Sequence, residues 1–234
     1  MKTAYNKRNF DLNKIRPIIS KTSVGNNDNN PDGAKISVFF DNLEPRLLGY
    51  IRSSEYVIGC AAWLTNPDIM HELSKKKGTS IVINKEEYLN PKTAIGGTYY
   101  YNNMRKIYDS ITGIFSTQCH CCNSDVDKCN NFMKNFAGLI VNEKSGVVTC
   151  GIVNNPSRLH HKFLIFLDKL YRPYAVWTGS YNLTKNSNYC LENALYITDQ
   201  TIVRKFVSEY ISAYNMSEPI RWTSGLLKSS LDIH

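Results

Sequence analysis

Residues 158–168 read RLHHKFLIFLD and residues 176–184 read VWTGSYNLT. No other part of the chain constrains its fold as tightly. Each stretch is an apolar segment of strand length, and each carries a polar constellation at one end. On a strand, residues two apart project from one face, so His160 and Lys162 point together while His161 points the other way. An imidazole beside an ammonium group suits a site that handles phosphate, because lysine supplies charge and histidine a nucleophile or a proton. Hairpin geometry then brings Gly179 and Ser180 alongside, and a glycine lets a phosphate approach the backbone closely. Ser180 and Asn182, again two apart, offer hydroxyl and amide donors. Glu192, in LENALYI, is a carboxylate able to hold one imidazole nitrogen and fix its tautomer.

Taken singly these signals are weak. A lone His-x-Lys is expected by chance in roughly one protein in several of this length. The ordered set of His-x-Lys, apolar strand, turn, strand, Gly-Ser-x-Asn-x-Thr and Glu-Asn is not explained by chance.

A regular pattern surrounds the set. KISVFF is a strand, LEPRLLGYIRSS places Leu43, Leu47, Leu48 and Ile51 on one helical face, and EYVIGCAAWL is a buried strand. Asn66 and Pro67 open a further helix, IMHELSKKKG closes it with cations and a glycine, and TSIVIN is the next strand. Strand–helix–strand–helix–strand implies parallel pairing with right-handed crossovers. Regularity lapses over about residues 85–137, which read as an insertion rich in Tyr, Asn, Lys and Cys. It resumes with GVVTCGIV, HHKFLIFL and YAVWTG as strands and TIVRKFVSEYISAY as an amphipathic helix. Residues 1–34 form an arm and a polar, turn-rich linker, and 35–234 form the domain.

A chain of 234 residues with 42% hydrophobic residues supports one sizeable α/β domain. The apolar run 57–64 is far too short to cross a bilayer, and MKTAYNKRNFDLNKIR lacks the apolar segment of a signal peptide. A cytoplasmic protein with no membrane partner is therefore expected. A net charge of +8 favours an anionic partner, nucleic acid or an acidic membrane surface, although Lys75, Lys76 and Lys77 also suit a helix C-terminus.

The stretches HHKFLIF, TGSYNLT and ENALYI resemble the phospholipase D superfamily, whose signature is His-x-Lys-x4-Asp followed by Gly-Ser-x-Asn. The upstream residues 38–73 resemble the start of its small nuclease-type members. One departure is visible, since the motif's aspartate position holds Leu167 and Asp168 follows one place later. The resemblance implies a mixed, largely parallel central sheet flanked by helices, here with a large insertion. It also implies phosphodiester hydrolysis through a covalent phosphohistidine without any catalytic cofactor. Two His-Lys-Asn sets are needed for that chemistry. This chain has one, so it resembles the members that complete a single site across a two-fold homodimer axis. Carried over, His160 is the nucleophile and its dimer mate the general acid. Lys162 and Asn182 hold phosphate oxygens with Ser180 assisting, Glu192 orients the imidazole, and Asp168 is structural.

Within the insertion, STQCHCCNSDVDKCNNF packs Cys119, His120, Cys121, Cys122 and Cys129 together. Cys119-x2-Cys122 has zinc-knuckle spacing, and Cys129 with His120 or Cys121 could complete a tetrahedral structural zinc set; the alternatives are reduced loop thiols or a disulfide formed on oxidation. His71 reads as a structural or surface histidine, and Trp63 and Trp177 as core residues or rim aromatics able to stack on a base. The run Tyr99-Tyr100-Tyr101 reads as packing of the insertion or as the lining of a substrate groove. The expected function is a metal-independent nuclease acting on DNA or RNA as a homodimer. The alternatives are a phosphodiesterase for a cardiolipin-type phospholipid and a non-catalytic nucleic-acid-binding module.

Overall fold

Strand β2 (Tyr56–Ala61) is buried at every position, as its unbroken apolar sequence requires of a strand covered on both faces. The computed structural model describes residues 33–89, 98–117, 126–141, 145–152 and 158–220. Around β2 lie β1 (Ile36–Phe39), β3 (Gly78–Asn84), β4 (Val147–Cys150), β5 (Lys162–Leu167), β6 (Pro173–Gly179), β7 (Ala194–Ile197) and β8 (Glu218–Pro219). They form one eight-stranded sheet in the order β1-β7-β6-β5-β2-β3-β4-β8. The described helices are α1 (Leu43–Ser53), α2 (Pro67–Ser74), α3 (Thr98–Ser110), α4 (Val126–Asn135) and α5 (Gln200–Asn215). None of them is long and apolar enough to cross a membrane.

The sheet is mixed, as expected, but it is not largely parallel. Among the strands, parallel pairing is confined to β2–β3 and β3–β4, and the other strand pairs are antiparallel. The strand–helix–strand start implied that β1 would lie beside β2. Instead β1 pairs with β7 at the sheet edge, Val38 opposite Leu195, while the β5–β6 hairpin occupies the centre.

Two apolar layers sandwich the sheet. On one face Leu47 and Ile51 of α1, Leu73 of α2 and Met104 and Tyr108 of α3 form the core. On the other, Phe132 of α4 and Val203, Val207, Tyr210 and Tyr214 of α5 do so. Strand β5 serves both layers by simple alternation, with Leu164 and Phe166 in the first and Phe163, Ile165 and Leu167 in the second.

The segment 85–137 is more regular than its composition suggested. Tyrosine and asparagine are middling helix formers, which masks α3 in the sequence. Its apolar positions Met104 and Tyr108, with Ile111 just past its end, nonetheless follow helical spacing and are all buried. The Tyr108 hydroxyl donates to the Leu64 carbonyl, so α3 is docked onto the loop that follows β2. Of the arm 1–34 only its last two residues lie within the described structure.

Candidate functional site

The site forms where the start of β5 meets the end of β6. Phe163 lies opposite Thr178 across that hairpin, and the Thr178 hydroxyl donates to the Lys162 carbonyl at 3.2 Å. Beyond β6 the chain turns at Gly179. A Cβ there would lie 2.8 Å from Ala194 Cα and would also overlap the Asn193 carbonyl, so only glycine lets β6 and β7 approach this closely. The Ser180 amide donates to the Asn193 carbonyl at 3.1 Å, and the Asn193 amide donates to Ser180 Oγ at 3.0 Å. The backbone amides of Thr65 and Asn66 both donate to the Leu183 carbonyl, at 3.0 and 2.9 Å. That pair of bonds fixes Asn182 beside the loop carrying Trp63.

His160 and Lys162 project together, as alternation requires. Lys162 Nζ lies 3.2 Å from Nδ1 and 3.3 Å from Nε2 of His160, and donates to the His160 carbonyl at 2.9 Å. Burial pushes the Lys162 ammonium below its usual range, and the Glu192 carboxylate opposes that shift. His161 faces the other layer, where its Nε2 lies 2.8 Å from Glu209 of α5. Glu192 accepts from the Ser180 hydroxyl; the carboxylate that the sequence aimed at the imidazole is here engaged by the serine.

Trp63, Tyr100, Asn182 and Glu192 line one cleft of about 390 Å³, together with Thr65 and Thr184. Asn182 Oδ1 is buried there with no hydrogen-bond partner. A buried acceptor without a donor costs about 1–3 kcal/mol, so its place in the cleft marks a group built to meet something else. Lys185 also lines the cleft, but it pairs with Glu44 at 2.8 Å and with Asp68, which raise its pKa and neutralise it locally.

Asn84 and Glu86 escaped the sequence reading, as did the contact of Trp63 with His160. The Trp63 ring meets His160 edge-on at 5.5 Å. Its Nε1 donates to Glu86 at 3.1 Å, and the same carboxylate accepts from Asn84 Nδ2 at 2.6 Å. Asn84 Oδ1 in turn accepts from the Leu159 amide at 3.0 Å, so one network holds both the imidazole's neighbour and the chain leading into it. Tyr100 reaches the rim from α3, whereas Tyr101 stacks on Tyr88 at 5.4 Å; the side chain of Tyr99 is not described. Of the two readings of the tyrosine run, Tyr101 thus takes packing and Tyr100 the groove.

Asp168 lies at the far end of β5. It accepts from the Leu170 and Arg172 amides at 2.8 and 3.0 Å and from Arg172 Nε at 2.7 Å, which closes the β5–β6 turn. Burial raises its carboxyl, but these donors outweigh burial and hold it below its usual range. His71 is an exposed residue of α2. Trp177 is core, stacked on Phe39 at 6.0 Å. Of the proposed zinc ligands, Cys119, His120 and Cys122 lie outside the described residues and Cys129 sits in the first turns of α4. Among the described residues no cluster of three His, Cys, Asp or Glu side chains could hold a metal.

Comparison with known proteins bears on this constellation directly. A family model described as a cardiolipin synthase, phospholipase D-like domain matches residues 122–213, which contain every member of the His-Lys-Ser-Asn-Glu set. The chain is 44% identical over 224 residues to the uncharacterised protein L381 of Acanthamoeba polyphaga mimivirus, covering 95% of this chain and 78% of that one. Among solved structures it is similar to Nuc of Salmonella typhimurium, a phospholipase D family member, with 19% identity, TM-score 0.46, and 78% of this chain and 95% of that one covered. It is also similar to NucT of Helicobacter pylori, with 16% identity, TM-score 0.45, and 79% and 98% covered. The assignment rests on the family model and the motif residues rather than on these two superpositions. From the matched model and the motif residues that the fold brings together at the ends of β5 and β6, the chain belongs to the phospholipase D superfamily, whose members are phosphodiesterases.

Proposed function

We propose that the protein is a metal-independent nuclease whose site is completed by a second copy of the chain. The observation that carries this reading is the local constellation in a chain holding a single such set: Lys162 against His160, Ser180 against Glu192, and Asn182 and Glu192 in the wall of a cleft whose Trp63 also meets His160. In the proposed reaction an imidazole nitrogen of His160 attacks phosphorus, a P–N bond forms, and the P–O bond to the leaving oxygen breaks. That oxygen takes a proton from the same histidine of the second copy. Water then attacks phosphorus, the P–N bond breaks, and the water's proton passes to the histidine that gave one up. Lys162 and the Asn182 amide offset the charge that develops on the phosphoryl oxygens.

The net charge of +8 suits an anionic polymer, and in the cleft wall the rings of Trp63 and Tyr100 stand beside polar Thr65, Asn182, Thr184 and Glu192, a mixture that suits a base and its phosphate. Tyr189 and Leu191 are exposed on either side of Cys190, next to Glu192, and supply apolar surface for the second copy.

The test is digestion of supercoiled plasmid, single-stranded DNA and RNA in excess EDTA, with His160→Ala alongside and anionic phospholipid vesicles as a further substrate. Cleavage of nucleic acid that survives EDTA and vanishes in the variant is expected. Hydrolysis of the phospholipid alone would overturn the substrate, and no hydrolysis of either would overturn the reading.

A further inference from the structure

We propose that Tyr100 is a stacking platform for an unpaired nucleobase next to the scissile phosphate, which makes single-stranded nucleic acid the substrate. This inference rests on the nuclease reading above. Tyr100 is 48% exposed, an unusual state for a large aromatic residue that is held at both ends. Its backbone belongs to α3, and its hydroxyl donates to the Thr65 carbonyl at 2.7 Å. The neighbouring Tyr101 ring meets it at 74° with centroids 5.4 Å apart, which fixes the ring's tilt. A ring fixed in this way presents its surface without losing side-chain freedom on binding, so little ordering cost opposes stacking.

Its placement gives the surface a use. The cleft that Tyr100 lines also contains Asn182 and Glu192, and Trp63 joins it to His160. A phosphate that reaches Asn182 therefore shares its cleft with Tyr100, and the adjoining nucleoside has that ring within the same cleft to stack on. The cleft's volume of about 390 Å³ is in the range of a small-molecule pocket. Bases within a duplex are already stacked on both faces and offer none to a protein ring, whereas an unpaired base does. Stacking of this kind is tolerant of sequence because every base has a π-face. The competing role for Tyr100 is a tether that merely ties α3 to Thr65.

The two roles separate through the hydroxyl and the base. KM is measured for wild type, Tyr100→Ala and Tyr100→Phe on a short single-stranded oligonucleotide and on the same backbone built from abasic residues. Tyr100→Ala is expected to raise KM on the order of tenfold to a hundredfold, and Tyr100→Phe, which keeps the ring and loses the tether, to restore most of it. Wild type should bind the abasic strand about as weakly as Tyr100→Ala binds the normal one. Equal losses in the Phe and Ala variants, or a wild type indifferent to abasic substitution, would overturn the platform. A wild type that hydrolyses methyl p-nitrophenyl phosphate but no nucleic acid would instead show that the nuclease reading itself has failed.

Discussion

His160 and His161 are adjacent in sequence, chemically identical, and placed on opposite faces at the start of one strand. His161 turns toward α5, where it meets the single carboxylate of Glu209 at 2.8 Å on an exposed surface. His160 turns toward a lysine, a tryptophan edge, and a cleft holding an unpartnered amide oxygen. The first has the surroundings of a surface ion pair, worth little to stability. The second has a cation, an aromatic edge and an acceptor still lacking a donor, the surroundings of a group kept for a ligand. Strand alternation alone makes the difference, and a one-residue slip in the β5 register would exchange the two.

That contrast is most exposed to test at the histidines themselves. His160→Ala should reduce phosphodiester cleavage by at least about a thousandfold, in keeping with loss of a nucleophile, with a melting midpoint close to wild type. Lys162→Met should cost roughly a hundredfold in kcat through lost charge stabilisation, read from single-turnover rates at saturating substrate. Trp63→Leu removes the edge against His160 without touching the reacting groups; a loss of about tenfold in kcat with little change in KM is expected from a displaced imidazole. His161→Ala should change activity by less than about twofold and unfolding free energy by less than about 1 kcal/mol. A His161 variant as inactive as the His160 variant would dissolve the comparison.

The opposite ends of β5 give a second contrast, in stability rather than chemistry. Asp168 is held below its usual pKa, so its stabilisation is present above the unfolded value and is lost as pH falls through the folded one. Asp168→Asn should therefore lower the urea midpoint at pH 7, and the gap from wild type should close toward pH 3. Cleavage by the folded variant should stay within about twofold of wild type, because the residue closes a turn remote from the cleft. A gap that widens in acid would show that the carboxylate does not stabilise the fold.

The legible parts of the molecule were those with local signals. Alternation along HHKFLIFL predicted which histidine joins Lys162, and the Asn66–Pro67 pair predicted the start of α2, where Asn66 Oδ1 accepts from the Asp68 amide at 3.0 Å. Lys75, Lys76 and Lys77 show why charge alone misleads. Lys76 donates to the Arg52 and Ser54 carbonyls at the end of α1, while Lys75 and Lys77 pair with Glu72 and Glu55, so none of the three is an open phosphate contact. What remained hidden depends on long-range pairing. Strand β7 is short, and its partners β6 and β1 are fixed by the sheet, not by its own four residues. The Trp63–Glu86–Asn84 network joins the ends of two parallel strands, and nothing in the linear order connects its members.

The measurement that bears most directly on the central claim is the site of covalent phosphorylation. Wild-type protein is quenched in alkaline denaturant, which preserves a P–N bond, during turnover of a short single-stranded oligonucleotide in excess EDTA, then digested at alkaline pH and mapped by mass spectrometry. A nucleotidyl adduct on His160, absent from His160→Ala, is predicted. An adduct on His161, or sustained cleavage with no protein adduct at any time point, would contradict the account.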